Sequence, residues 1–347
     1  MRCILLFLVI SLVFTPCVSA MEFQPPAAPD RVADLVPEEA DSFSQGLWNI
    51  IKAALSAADD SFRDVMSICL TAAIIVIMSS VLRILSENSG RRAIDLCCVV
   101  IIAELFFHAS TSLIHLGLDT AQELREYGKL LLPVMTAAMA ARGGVSASTA
   151  LYAGTAFFDH LLGSLLSKVL SPLIYLFLAL SIGSSVVNEA LLKKMKDFLK
   201  WLMGWILKAV LSLFTGYLTI TGAVSGTADA AAVRTAKVVI SSAVPVVGSI
   251  LSDASETVLV SAATLGNAAG VYGMITVLAL FSGPFVKIGL HYIFLKVSGA
   301  FCGVFDSGPG VKLMDDFAAA MGLILAMIST QTVLVLISTM CLMKGVA

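Results

Sequence analysis

Charge is what this chain has least of. Asp, Glu, Lys and Arg make up 13% of its 347 residues and apolar types make up 58%. A soluble globular domain carries about 25% charged residues. So little polar surface cannot cover a water-facing globule of this length, which excludes an ordinary cytosolic enzyme and a disordered regulator. The formal net charge of −2 leaves no basic footprint and excludes a nucleic-acid binder. Catalytic and nucleotide motifs are missing too: there is no GxxxxGK[ST], no GxGxxG behind a strand, no GxSxG and no HExxH. The sequence therefore implies no enzyme, no cofactor and no metal site, and any ATP-driven step falls to another subunit. No cysteine forms a CxxC pair. Cys69, Cys97, Cys98, Cys302 and Cys341 lie in apolar runs, as small hydrophobic fillers do.

What is present is apolar sequence in long stretches. Residues 1–20 read as a cleavable signal peptide: Arg2 is basic, Ile4 to Phe14 is apolar, and Val18-Ser19-Ala20 is a small-residue cleavage site. Cleavage puts the new N-terminus outside the cytoplasm. Residues 21–62 form an extracytoplasmic segment. Pro25, Pro26 and Pro29 keep its first part from coiling. Then Phe43, Leu47, Ile50, Ile51 and Leu55 recur at the spacing of an amphipathic helix. That helix lies either on the bilayer surface or against a partner. Residues 63–347 form a polytopic membrane domain.

Charge-free windows place the spans, because a charge at the bilayer centre costs roughly 2.5–3.5 kcal/mol. Val65 to Leu82, Val169 to Asn188, Ala209 to Ala228, Thr257 to Val286 and Phe317 to Met343 are such windows. Ile94 to Leu118 and Ile288 to Phe305 read as further spans that carry ionisable residues. The expected fold is an all-α integral membrane protein with about seven transmembrane helices. They fall at 65–85, 93–117, 165–188, 205–225, 257–281, 287–305 and 317–342. With the N-terminus outside, Arg83, Arg91, Arg92 and the Lys193, Lys194, Lys196, Lys200 cluster fall inside. The acidic connection with Asp306, Asp315 and Asp316 falls outside, as the positive-inside rule favours. Two stretches, 130–160 and 237–252, carry Pro133 and Pro245 and many small residues. They are either re-entrant segments or interfacial helices.

An internal repeat competes with this layout. Pro133 and Pro172 are 39 residues apart, and so are Pro245 and Pro284. Lys193-Lys194-Met195-Lys196-Asp197-Phe198 matches Lys312-Leu313-Met314-Asp315-Asp316-Phe317 at four of six positions. A duplication makes 129–225 and 237–343 related halves. An odd number of spans in each would invert one half, raise the count to eight or more, and move the lysine cluster outside. The charge rule favours seven.

Ionisable residues at membrane depth are functional candidates by default. Glu104, His108 and His115 share one helix face. Asp159 adjoins His160, with Lys168 two turns on, and Lys287 and His291 are four apart. Glu104, His108, Asp159, Lys168, Lys287 and His291 either line a polar pathway or make structural pairs and snorkel to the interface. Asn188 to Trp205 is a basic amphipathic helix, with lysines opposite an apolar stripe and Trp201 and Trp205 at its end. It either rests on anionic membrane lipid or docks a soluble partner.

The most distinctive words are Ala243-Val244-Pro245-Val246-Val247-Gly248-Ser249-Ile250-Leu251-Ser252-Asp253-Ala254. This segment resembles the stage III sporulation protein AE family of endospore-forming bacteria, and the layout of leader, short outer region and polytopic body agrees. The resemblance implies a non-enzymatic subunit of the mother cell–forespore channel, or feeding apparatus, required for endospore formation. It implies a multi-pass protein in the mother-cell membrane that engulfs the forespore, the outer forespore membrane. It also implies partners: a separate ATPase, ring-forming subunits and a forespore-side protein. Pro245 and Gly248 are positioned to break a helix, and Ser252, Asp253 and Glu256 follow with polar groups near a boundary. Asp253 either caps the next helix, worth about 1 kcal/mol, or the motif acts as a gate or docking point. From a different class, the alternative is an autonomous secondary transporter or channel built from two repeats.

Overall fold

The computed structural model describes residues 26–36, 43–86, 88–141, 145–187, 189–243, 248–305 and 308–344, with side chains outside 43–44, 60, 88–89, 221–243, 248–267 and 344. The expected signal peptide and Pro245 lie outside the described residues. After a 3-10 turn at Ala33–Leu35 come α1 (Phe43–Leu85), α2 (Asn88–Ala141) and α3 (Val145–Leu165). A π turn (Leu166–Leu170) links α3 to α4 (Ser171–Val187). Then follow α5 (Ala190–Ala243), α6 (Gly248–Phe305) and α7 (Pro309–Lys344). No strand occurs among the described residues. Lipid offers backbone groups no partner, so apolar segments satisfy their own as helix.

Among the described residues, six helical rods are long and apolar enough to cross a membrane: Gln45–Leu85, Gly90–Ala141, Val145–Val187, Ala190–Ile220, Ala268–Phe305 and Pro309–Met343. They exceed the expected spans. α2 has 54 residues, about 80 Å at the α-helical rise, against a hydrocarbon core of about 30 Å. The amphipathic helix expected from Phe43 and the first span are one helix, α1. Residues 130–160 are helical on both sides of 142–144, with Pro133 inside α2. The spans expected at 257–281 and 287–305 are one helix, α6, with Pro284 inside. Proline forfeits one backbone bond there, which packed neighbours make tolerable in a membrane bundle. Pro172 is handled differently: the π turn ahead of it lets the Ser171 N–H reach the Leu166 carbonyl, five residues back.

Because α6 is unbroken, the C-terminal ends of α1, α4 and α6 and the starts of α2, α5 and α7 share one end of the bundle. Lys196 Nζ lies 2.7 Å from Asp316, and Arg83 pairs with Asp95 at 3.2 Å. Asp315 and Asp316 therefore sit with the lysine cluster, not on the opposite face as expected; Asp306 lies outside the described residues. The two matched hexapeptides open α5 and α7 at this same end. Each supposed half thus contributes a helix tail and two rods in the same order and direction, not inverted.

α7 is the centre of the packing. Its Phe317, Met321, Ile324, Ile328, Leu334 and Val335 are buried. Apolar burial gains little against lipid, so close van der Waals approach and small residues carry helix association. Gly117 lies under Ile324 and Gly128 against Val335, which seats α2 along α7. The Tyr217 ring on α5 covers Gly154 of α3, and its hydroxyl donates to the Ala150 carbonyl at 2.7 Å. Phe62 of α1 meets Phe294 of α6 edge-on at 5.1 Å. The segment 26–36 straps the other end: Ala28 N–H donates to Tyr272 Oη at 3.3 Å, and Arg31 pairs with Glu123 at 3.0 Å.

Candidate functional site

Two polar constellations are built into this bundle. The first is at the basic end. Lys196 Nζ donates to both Asp316 oxygens, at 2.8 and 2.7 Å, with both side chains largely shielded at 14% and 13% exposure. Lys296 pairs with Asp315 at 2.8 Å. These pairs border a cavity of about 560 Å³ whose lining includes Arg83, Arg92, Asp95, Lys193 and Lys312. Arg83–Asp95 joins the end of α1 to the start of α2, Lys196–Asp316 joins α5 to α7 and Lys296–Asp315 joins α6 to α7, so the ion pairs tie five rods together near this end.

The second lies midway along α7. Gln331 is fully buried and Asp159 is 5% exposed. Gln331 Nε2 donates to Asp159 Oδ1 at 2.8 Å, joining α3 to α7. One turn beyond Asp159, the Arg125 side chain of α2 packs over Gly163, which brings its guanidinium near the Asp159 carboxylate. Arg125 Nε and Gln331 Oε1 are buried without a hydrogen-bond partner. Three rods thus bring a carboxylate, an amide and a guanidinium to one interior level.

The six residues expected to form a polar pathway do not converge. Asp159 alone enters the interior constellation. Glu104, His108, Lys168 and Lys287 are exposed, and His291 is half-buried with Nδ1 2.8 Å from the Lys287 carbonyl. His115 approaches Tyr175 Oη at 3.5 Å. Of the candidate gate residues, Pro245 lies outside the described residues. Gly248, Ser252, Asp253 and Glu256 fall on the first turns of α6, and their side chains lie outside them as well. Sequence reasoning missed Arg125 and Gln331. Gln331 had a signal: it is the single amide side chain in the charge-free window 317–343, where a buried polar side chain calls for a partner on another helix.

By length and composition, these rods are those of a multispan α-helical membrane protein. A family model described as stage III sporulation protein AE matches residues 30–345, and the chain belongs to that family. It is 25% identical over 218 residues to stage III sporulation protein AE of Bacillus subtilis (strain 168), covering 62% of this chain and 54% of that protein. The chain thus matches about half the length of that relative. No solved structure matches it. The family ties the chain to sporulation.

Proposed function

We propose that the chain is a non-enzymatic, multi-pass subunit of the channel complex between mother cell and forespore, seated in the mother-cell membrane that engulfs the forespore. The observation that carries this reading is the family match over 30–345 on a chain built from membrane-length helices. Its central rod is packed with apolar side chains, which suits a scaffold more than a catalyst. A separate ATPase and ring-forming subunits supply energy and the remainder of the conduit. Deleting the gene should abolish late forespore transcription and spore yield, and the purified chain in liposomes should pass no solute alone. Normal sporulation in the deletion strain would overturn the proposal.

The buried Asp159–Gln331 pair favours one competing reading, an autonomous transporter with its site between rods. Solute flux through liposomes holding this chain alone, lost in Asp159→Ala, would establish it.

A further inference from the structure

The outer face of α2 carries a polar stripe that a lipid-facing helix should not have. Glu104, His108, His115, Asp119, Gln122 and Glu126 are all exposed. Their spacings of three, four and seven put them on one side of the helix. Gln122 Nε2 donates to Glu126 at 2.9 Å along the stripe, and the exposed Lys168 belongs to the neighbouring π turn.

The part of the stripe from Glu104 to His115 runs at membrane depth, and the part from Asp119 to Glu126 rises toward the strap, where Arg31 pairs with Glu123. Phe106 packs on Phe317 with ring centroids 5.6 Å apart, Gly117 on Ile324 and Gly128 on Val335. Residues 104–128 of α2 therefore lie alongside the charge-free stretch that follows Asp316 in α7. Leu176 of α4 and Ile293 of α6 are outward apolar residues near this layer, 46% and 54% exposed, while the charges exposed on other rods there, such as Asp64 and Lys287, form no continuous stripe. Each ionised group left in hydrocarbon would cost roughly 2.5–3.5 kcal/mol on insertion scales, so several together require water or protein.

The geometry points to identical stripes from two or more copies of this chain facing one another around a water-filled path. A second copy is the occupant that fits. The stripe and its flank mix acids with two histidines, Lys129 and Lys168, so like surfaces meet without a single-sign repulsion. The exposed apolar Val100 and Phe107 beside it can seal against a neighbour while the stripe stays wet. This inference rests on the channel-subunit reading, whose own test is sporulation of the deletion strain; the experiment below reads the stripe alone.

Cys97 is exposed and lies one heptad before Glu104 on the same face. The full chain, in native membranes, is treated with a charged, water-soluble thiol reagent. Single cysteines are then placed, in a background whose native cysteines are replaced by serine or alanine, at His108 and His115 on the stripe, and at Leu176 and Ile293 off it. The stripe positions should react at least about 10-fold faster than Leu176→Cys and Ile293→Cys, because a thiol ionises in water and not in lipid. Photobleaching of a fluorescent fusion should count more than one copy per particle. Equal labelling on and off the stripe would overturn the inference, and so would particles holding a single copy.

Discussion

At the scale of single residues, the buried pair between Asp159 and Gln331 is the most exacting contact in the bundle. The amide donor has one acceptor, at 2.8 Å, and no water-facing alternative. Asp159→Ala strands that donor and removes the counter-charge near Arg125, so it should destabilise the fold by about 1–3 kcal/mol. Asp159→Asn keeps a carbonyl oxygen in place and should lose clearly less. Thermal unfolding in detergent measures both, and equal losses would show that the hydrogen bond is not what matters. Lys196 and Asp316 raise a related question at the basic end. Their shielding means that removing one partner leaves a charge poorly solvated, a loss of about 3–5 kcal/mol for a fully buried pair and less here. Asp316→Ala should therefore be more harmful alone than in a Lys196→Ala background, and a double-mutant cycle in the same unfolding assay reads that difference.

At the scale of elements, the helices themselves were legible because lipid-length runs without charge admit little else, and the Ala243 to Ala254 words pointed to the right family. Their ends were not. Pro133 and Pro284 look like breaks under the logic of isolated helices, where a lost backbone bond and a ring clash go uncompensated. Inside a bundle they are carried through, and one helix covers what read as two spans. α2 hid its length for another reason: polar residues from Asp119 to Lys129 interrupt the hydropathy, although they fall on faces that point outward or onto Asp159. The strap at 26–36 was legible only as proline-rich and non-helical; its anchors, Glu123 and Tyr272, are far along the chain. Those anchors are few. Exposed ion pairs contribute about 0–1 kcal/mol, so Arg31→Ala with Tyr272→Phe should leave global unfolding nearly unchanged. The same double variant should become far more sensitive to limited proteolysis between residues 26 and 42. Unchanged cleavage would mean that buried Val32 and Val36 hold the strap without help.

At the scale of the whole molecule, orientation follows from which connections share an end. The positive-inside rule counts lysines and arginines near span ends and gives acids little weight. By that count the end that gathers Arg83, Arg91, Arg92, Lys193, Lys194, Lys196 and Lys312 is expected to be the cytoplasmic one, even though Asp315 and Asp316 lie there and neutralise two lysines. That arrangement places the strap and the C-terminal turn of α7 together on the opposite side. It separates the six-rod fold from the seven-span layout with one measurement. Lys194 opens α5, and Val304, 80% exposed, closes α6. Lys194→Cys and Val304→Cys should both resist an impermeant thiol reagent added to intact cells, and both should react in inverted vesicles. Asp30→Cys on the strap should do the reverse. Labelling of Val304→Cys from the outside while Lys194→Cys stays protected would require a chain reversal near Pro284, and the continuous α6 would be wrong.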